Sequence, residues 1–177
     1  MRRWWAMLLM LTLLVGCGAA AEDPLAYQDG ALTVEAIFTL DGTEMPGTLE
    51  LSAAEFDAEG RMLARDARLT LRDNSIIAGV QFEITGGEAF VASGVLKIPL
   101  SDETVIGGIL DLVSLFCIDG GSYYAAEDAG ECRLYRYVNG ENRVELLYDP
   151  STALPKEITA VIDSREIGAK IESITSP

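Results

Sequence analysis

The sequence predicts a mainly β protein: a curled antiparallel half-barrel sheet with one buried helix on its concave face. Three observations predict it. Apolar and polar residues alternate in run after run from Leu32 onward, the period of a half-buried strand. Turn-forming pairs such as Asp41-Gly42, Gly86-Gly87 and Asn139-Gly140 punctuate those runs, as antiparallel hairpins require. A single stretch between two groups of runs, Asp102 to about Cys117, carries apolar residues at three- and four-residue spacing. The runs amount to about nine to eleven strands. A sheet that large must curl, and its concave face must be covered.

In chain order, Leu32, Val34, Ala36, Phe38 and Leu40 share one face of the first strand, with Thr33, Glu35 and Thr39 on the other and Ile37 the exception there. Asp41-Gly42 breaks the run, Pro46-Gly47 follows closely, and Thr48 to Ser52 resumes it, which reads as a hairpin with a longer loop. Ala53 to Arg65, with its turn at Glu59-Gly60, reads as strand–turn–strand. Ala67 to Arg72 sets Leu69 and Leu71 against Arg68, Thr70 and Arg72. Gly79 to Thr85 groups Val80, Phe82 and Ile84; Glu88 to Ala92 pairs back; Val95 to Leu100 follows, and Pro99 marks it as an edge.

Ser101 or Asp102 caps the helix, with Glu103 favourably placed in its first turn. Ile106, Ile109, Leu110, Val113 and Phe116 form one face, and Leu112 and Leu115 widen it, which predicts deep burial. Gly107 and Gly108 each lower helix propensity by about 1 kcal/mol, which tertiary packing has to offset. Glu131 to Val138 and Arg143 to Tyr148 then form a hairpin, and Lys156 to Ile162 and Ile167 to Ile174 form the last pair around Ser164-Arg165. No repeat or linker interrupts the stretch 32–177, which reads as one domain.

Charge and composition exclude several functions. The 177 residues hold 28 acidic against 13 basic side chains, a net charge of −15. A nucleic-acid partner needs a basic face, so none is expected. There is no histidine, which removes imidazole bases and ligands. Without a Cys-x-x-Cys pair a zinc site is not expected, and Asp41-Gly42-Thr43-Glu44 reads as a turn and not a calcium loop. Glu127, Asp128 and Glu131 read as a solvated acidic loop. No Gly-x-Ser-x-Gly elbow or paired base appears, so the chain is read as a non-enzyme with no cofactor and no metal.

The first residues are read as a processing segment. Arg2 and Arg3 precede an uncharged apolar run, Trp4 to Val15. As a helix it would span about 18 Å, short of the ~30 Å hydrocarbon core, so it reads as a signal-peptide core. The run ends Leu14-Val15-Gly16-Cys17, which resembles the bacterial lipobox. That resemblance implies cleavage before Cys17, lipidation of its thiol, and anchoring of an exported domain to the extracytoplasmic face of the cell membrane. The chain is accordingly divided into a signal peptide at 1–16, lipidated Cys17 with a tether at 17–31, and the β domain at 32–177. Like charges repel, so the acidic domain is expected to stand off an anionic bilayer.

The stretch Tyr148-Asp149-Pro150-Ser151-Thr152-Ala153-Leu154-Pro155-Lys156-Glu157-Ile158 is similar to the strand–turn–strand of LolA/LppX-like bacterial lipoprotein carriers, in which an acidic strand end precedes a Thr-x-x-Pro turn. The chain departs from those carriers in its single short helix and its lack of tryptophan after the signal segment. The resemblance implies a LolA-like fold and the handling of lipid or lipoprotein. Two functions are therefore carried forward. In one, the concave sheet binds or carries lipid, an acyl chain or another apolar ligand, lined by Phe38, Leu40, Leu69, Leu71, Phe82, Ile84, Ile109 and Val113. In the other, the same residues form a dry core and the protein is an envelope structural or interaction module with a protein partner. Cys117 and Cys132 are either a disulfide pair or two small buried hydrophobes. Tyr123, Tyr124, Tyr135, Tyr137 and Tyr148 are either ordinary strand aromatics or the mouth of a cleft.

Overall fold

A period of two along Leu32–Leu40, strand β1, buries Leu32, Val34, Ala36 and Phe38 on one face. The computed structural model of the chain describes residues 23–58, 62–63, 65–72 and 80–176, and in it this pattern extends over one eleven-stranded antiparallel sheet. The strands after β1 are β2 (Thr43–Leu51), β3 (Ala67–Leu71), β4 (Gln81–Thr85), β5 (Glu88–Ser93), β6 (Leu96–Pro99), β7 (Tyr123–Ala129), β8 (Cys132–Asn139), β9 (Asn142–Asp149), β10 (Leu154–Ile162) and β11 (Arg165–Thr175). Their spatial order is β6-β5-β4-β3-β2-β1-β11-β10-β9-β8-β7. The first and last strands thus meet at the centre, and two meanders run outward to the edges β6 and β7. Helix α1 (Glu103–Ser114) is the connection between those edges. To join them it crosses the concave face, where its nearest strands are the central β11 and β1. The curled open sheet with one helix on its concave face is the architecture the sequence predicts.

The core is packed where α1 crosses. Val34, Phe38 and Leu49 from β1 and β2, Leu146, Tyr148 and Ile158 from β9 and β10, and Leu112, Leu115 and Phe116 from the helix and its end are almost fully buried in one cluster. Asp102 caps α1 by accepting from the backbone N–H groups of Thr104 and Val105. Gly108 answers a close approach: a Cβ there would lie 2.9 Å from Leu40 Cδ2.

Several boundaries differ from the sequence reading. Asp41-Gly42 closes a two-residue turn, both residues at positive φ, and β2 runs straight through Pro46-Gly47. Proline is tolerated there because its backbone faces the end of β3, where only its carbonyl is used, by Arg72 N–H at 2.9 Å. Among the described residues of 53–65 the pairing is limited to a single antiparallel bridge, Phe56 to Met62, with Leu63 N–H donating to the Glu55 carbonyl at 2.7 Å. Strand β7 takes residues that looked like an acidic loop. Glu127 and Asp128 lie on it and pair with Arg136 and Arg133 of β8 at 2.8 and 3.6 Å. The helix is less buried than its sequence suggests, since Val105 and Leu110 are exposed. The described end of the expected tether is packed, with Leu25 in the core and Gln28 buried. The segment 1–16, Cys17, the Glu59-Gly60 turn and Gly79 lie outside the described residues.

Candidate functional site

The eight residues named from the sequence come together on the concave face, but into a packed core. Phe38, Leu69, Leu71, Ile84, Ile109 and Val113 are buried in one cluster, and Leu40 and Phe82 pack against it. Of these, Ile84 and Val113 also line an open space. That space is a trough of about 380 Å³ between α1 and the outer limb of the sheet. Ile106, Leu110 and Val113 form its helix wall, Ile84 and Ala89 its sheet wall, and Met62 and Leu63 its third side. The reason is geometric. The helix sits over β11 and β1, and one helix is too narrow to roof β4 to β6 as well.

The limb beyond the helix continues the apolar surface among the described residues. By register, Phe82 of β4 lies opposite Val91 of β5, and Val91 opposite Ile98 of β6. Phe82 and Val91 are half-buried, while Leu96 and Ile98 at the edge are 58% and 51% exposed. At the other end the trough shares Met62 and Cys117 with a second groove of about 510 Å³. Leu25, Phe56 and Ile118 line that groove together with Asp23, Asp29 and Asp119.

Between the two grooves stands a buried cation that the sequence reading missed. Arg65 is 4% exposed. Its Nε donates to the Ser52 carbonyl at 2.7 Å, Nη1 to those of Gln28 at 2.7 Å and Phe116 at 3.4 Å, and Nη2 to those of Gly30 at 2.5 Å and Ser52. All five N–H groups are committed. Burial lowers the guanidinium's pKa. Burial raises that of the neighbouring Cys117 thiol, and Arg65 opposes the shift. Burial likewise raises the Tyr27 phenol far above its ordinary range, and the Tyr27 hydroxyl has no hydrogen-bond partner among the described residues. No motif announces Arg65 in the sequence, because its partners are backbone carbonyls.

Of the two alternatives for Cys117 and Cys132 the disulfide is not formed: both are free thiols, and both are half-buried. The pleat separates them: Tyr135 and Tyr137 of β8 face the concave core, so Cys132, three residues before Tyr135, faces the convex side. Cys117 lies at the floor of the trough. Three of the five tyrosines, Tyr135, Tyr137 and Tyr148, are core aromatics, while Tyr123 and Tyr124 are exposed. Tyr135 meets Tyr148 edge-on at 5.8 Å and Tyr137 meets Tyr123 at 6.0 Å. The stretch that carries the carrier resemblance is the β9–β10 hairpin. Asp149 builds its turn, accepting from Ser151 N–H at 2.8 Å and Ser151 Oγ at 2.6 Å and pairing with Lys156 at 3.0 Å. The Ser151 and Lys156 hydrogen bonds hold the Asp149 carboxyl down to about 2.

A further groove of about 630 Å³ lies on the convex face over Gly168. It is a shallow saddle: Gly168 leaves a dip between Thr39 and Thr159. Glu44, Glu157, Glu166, Arg143 and Lys170 surround it. Side chains of both charges rim it, and Thr39, Thr159 and Gly168 line its dip. Among the described residues no group of three or more Cys, Asp or Glu is placed to hold a metal ion, and no helix is long and apolar enough to cross a membrane.

No protein-family model matches the chain, and a search of curated proteins finds no significant match. Among solved structures the chain is similar to MucB, with 14% identity and a TM-score of 0.45 over 90% of this chain and 60% of MucB. MucB has also been solved in complex with MucA from Pseudomonas aeruginosa, a comparison at 16% identity and a TM-score of 0.42 that covers 87% of this chain and 56% of the other. The chain thus spans about 60% of the length of the MucB it matches. A domain from Vibrio parahaemolyticus assigned to outer membrane lipoprotein sorting is similar at 7% identity and a TM-score of 0.45, covering 86% of this chain and 88% of the other. A DUF1329 family protein from Desulfovibrio piger is similar at 11% identity and a TM-score of 0.43, covering 89% of this chain and 92% of the other.

Proposed function

We propose that the protein is a lipid-anchored, non-catalytic binding module of the bacterial cell envelope that holds an acyl chain or another apolar ligand in the trough between α1 and strands β4 and β5. One observation carries the reading. The trough of about 380 Å³ is walled by apolar side chains, and two of them, Leu63 at 44% and Leu110 at 45%, are exposed at its rim. Apolar concavities of this size are typical of small-ligand sites. Large apolar side chains left in water at a concave rim mark a surface that something else covers. The Leu14-Val15-Gly16-Cys17 run supports the anchored, exported part of the reading.

A fluorescent acyl probe titrated into the purified protein tests it. Probe fluorescence should rise on binding to the wild type, and Leu110→Asp should abolish the rise. No binding by the wild type sinks the proposal. The convex saddle at Gly168 favours a second reading, an envelope interaction module whose packed core leaves the outer face to a protein partner. For that reading Gly168→Val should remove partner capture and leave probe binding intact.

A further inference from the structure

The trough has a length as well as a volume. Ile106, Leu110, Val113 and Cys117 line it at spacings of four, three and four residues, which is one stripe of a helix. The stripe runs on past the end of α1, because Cys117 N–H donates to the Ser114 carbonyl at 3.0 Å and so continues the coil by one tight turn. From Ile106 to Cys117 the rise is about 17 Å. An extended alkyl zigzag of C–C bonds of about 1.5 Å advances about 1.25 Å per carbon, so the stripe matches about thirteen carbons.

What closes the trough at that end is a partition of two soft side chains. Met62 and Cys117 are the described residues that the trough shares with the groove of about 510 Å³ beyond it. Cys117 is small and half-buried, and burial raises its pKa, so it meets a chain as an uncharged thiol. Met62 is unbranched and adapts its shape by turning about its side-chain bonds. Beyond them the apolar lining resumes with Leu25, Ile118 and Phe56. Phe56 is 50% exposed there, the same uncovered apolar surface that marks the rim of the trough. On the reading of the trough as an apolar-ligand site, we infer that Cys117 and Met62 form a waist that selects chain length: an acyl chain of more than about thirteen carbons passes between them and ends in the second groove.

Dodecanoate and octadecanoate, displacing a fluorescent acyl probe from the purified protein below their aggregation concentrations, test it. The two share a head group, so the ratio of their affinities reads the chain alone. Each buried methylene tightens binding by about threefold to fourfold. Octadecanoate should therefore bind the wild type at least about tenfold more tightly than dodecanoate. Cys117→Leu, which narrows the waist, should bring the ratio within about threefold of unity. Phe56→Ala removes a wall of the second groove at an exposed position and should also lower the ratio, with the thermal midpoint in place. A wild-type ratio near one, or a variant pair that weakens both probes alike and keeps the ratio, would overturn the waist and leave the trough an apolar site. If Cys117→Leu does not fold, the ratio in Phe56→Ala decides alone. Binding of neither probe by the wild type would overturn both readings.

Discussion

The guanidinium of Arg65 ties together parts of the chain that are far apart in sequence. Its carbonyl partners come from the N-terminal segment at Gln28 and Gly30, from the end of β2 at Ser52, and from the end of α1 at Phe116. Truncation would leave several buried carbonyls without donors, each costing roughly 1–3 kcal/mol. Arg65→Ala is therefore expected to lower stability by about 3–5 kcal/mol in urea melts, the range for losing one member of a buried polar cluster. Arg65→Lys should recover little of it, because a compact ammonium cannot reach carbonyls spread around a planar fork. Asp149 makes a pH-dependent contribution. Its folded pKa is about 2 against an ordinary 3.8, so the folded state favours the carboxylate. The stability this confers is fully present above the ordinary value and is lost as pH falls through it toward 2. Thermal midpoints of the wild type should fall over that window, and Asp149→Asn should flatten the fall; an equal fall in the variant would count against the assignment.

At the scale of elements, α1 separates two kinds of apolar side chain that its sequence does not distinguish. Ile109 is 6% exposed in the packed core and Leu110, its neighbour, is 45% exposed at the trough. Ile109→Ala should cost about 2–5 kcal/mol, as core truncations do. Leu110→Ala should cost less than about 1 kcal/mol yet weaken acyl-probe binding. Urea melts paired with probe titration separate the two; a large stability loss at Leu110 would place it in the core and remove the trough's rim. The helical period called both positions buried, since each falls on the apolar arc. Which part of a wide arc stays in water depends on how far the sheet curls beyond the helix, and no local pattern carries that.

For the molecule as a whole, the proposed anchoring and the charge would act together. If the chain is cleaved before Cys17 as proposed, the loss of Arg2 and Arg3 leaves 28 acidic against 11 basic residues, a net charge of −17, and such a domain held by a lipid would be repelled from an anionic surface within about a Debye length, roughly 8 Å. Labelled palmitate should mark the wild type in the membrane fraction, and Cys17→Ser should be unlabelled and either uncleaved or released. Equal retention of the two would dismiss the lipobox reading. The β9–β10 stretch that resembles the lipoprotein carriers has a local physical role in this chain, since Asp149, Ser151 and Lys156 fix its turn. The same bonds would hold that turn in any sheet of this kind.

The sequence by itself determined the strand periods, most of the turns, the helix and its Asp102 cap, because these follow from neighbours two to four residues apart. It also located most concave-facing residues, since alternation assigns faces without reference to partners. Strand β7 escaped notice because acidic residues on an edge strand look like a loop, and Pro46 looked like a break because only the sheet order shows that its missing N–H is not needed. The tertiary structure alone decided the site. That α1 must cross from edge β6 to edge β7 follows from the strand order. The crossing fills the centre of the concave face and, among the described residues, leaves the β4–β6 limb without a helix over it. Arg65 and Cys117 meet Met62 there only because residues 28, 52, 65 and 116 are gathered from distant parts of the chain. Such contacts depend on chain path, to which the spacing of residues in sequence is blind.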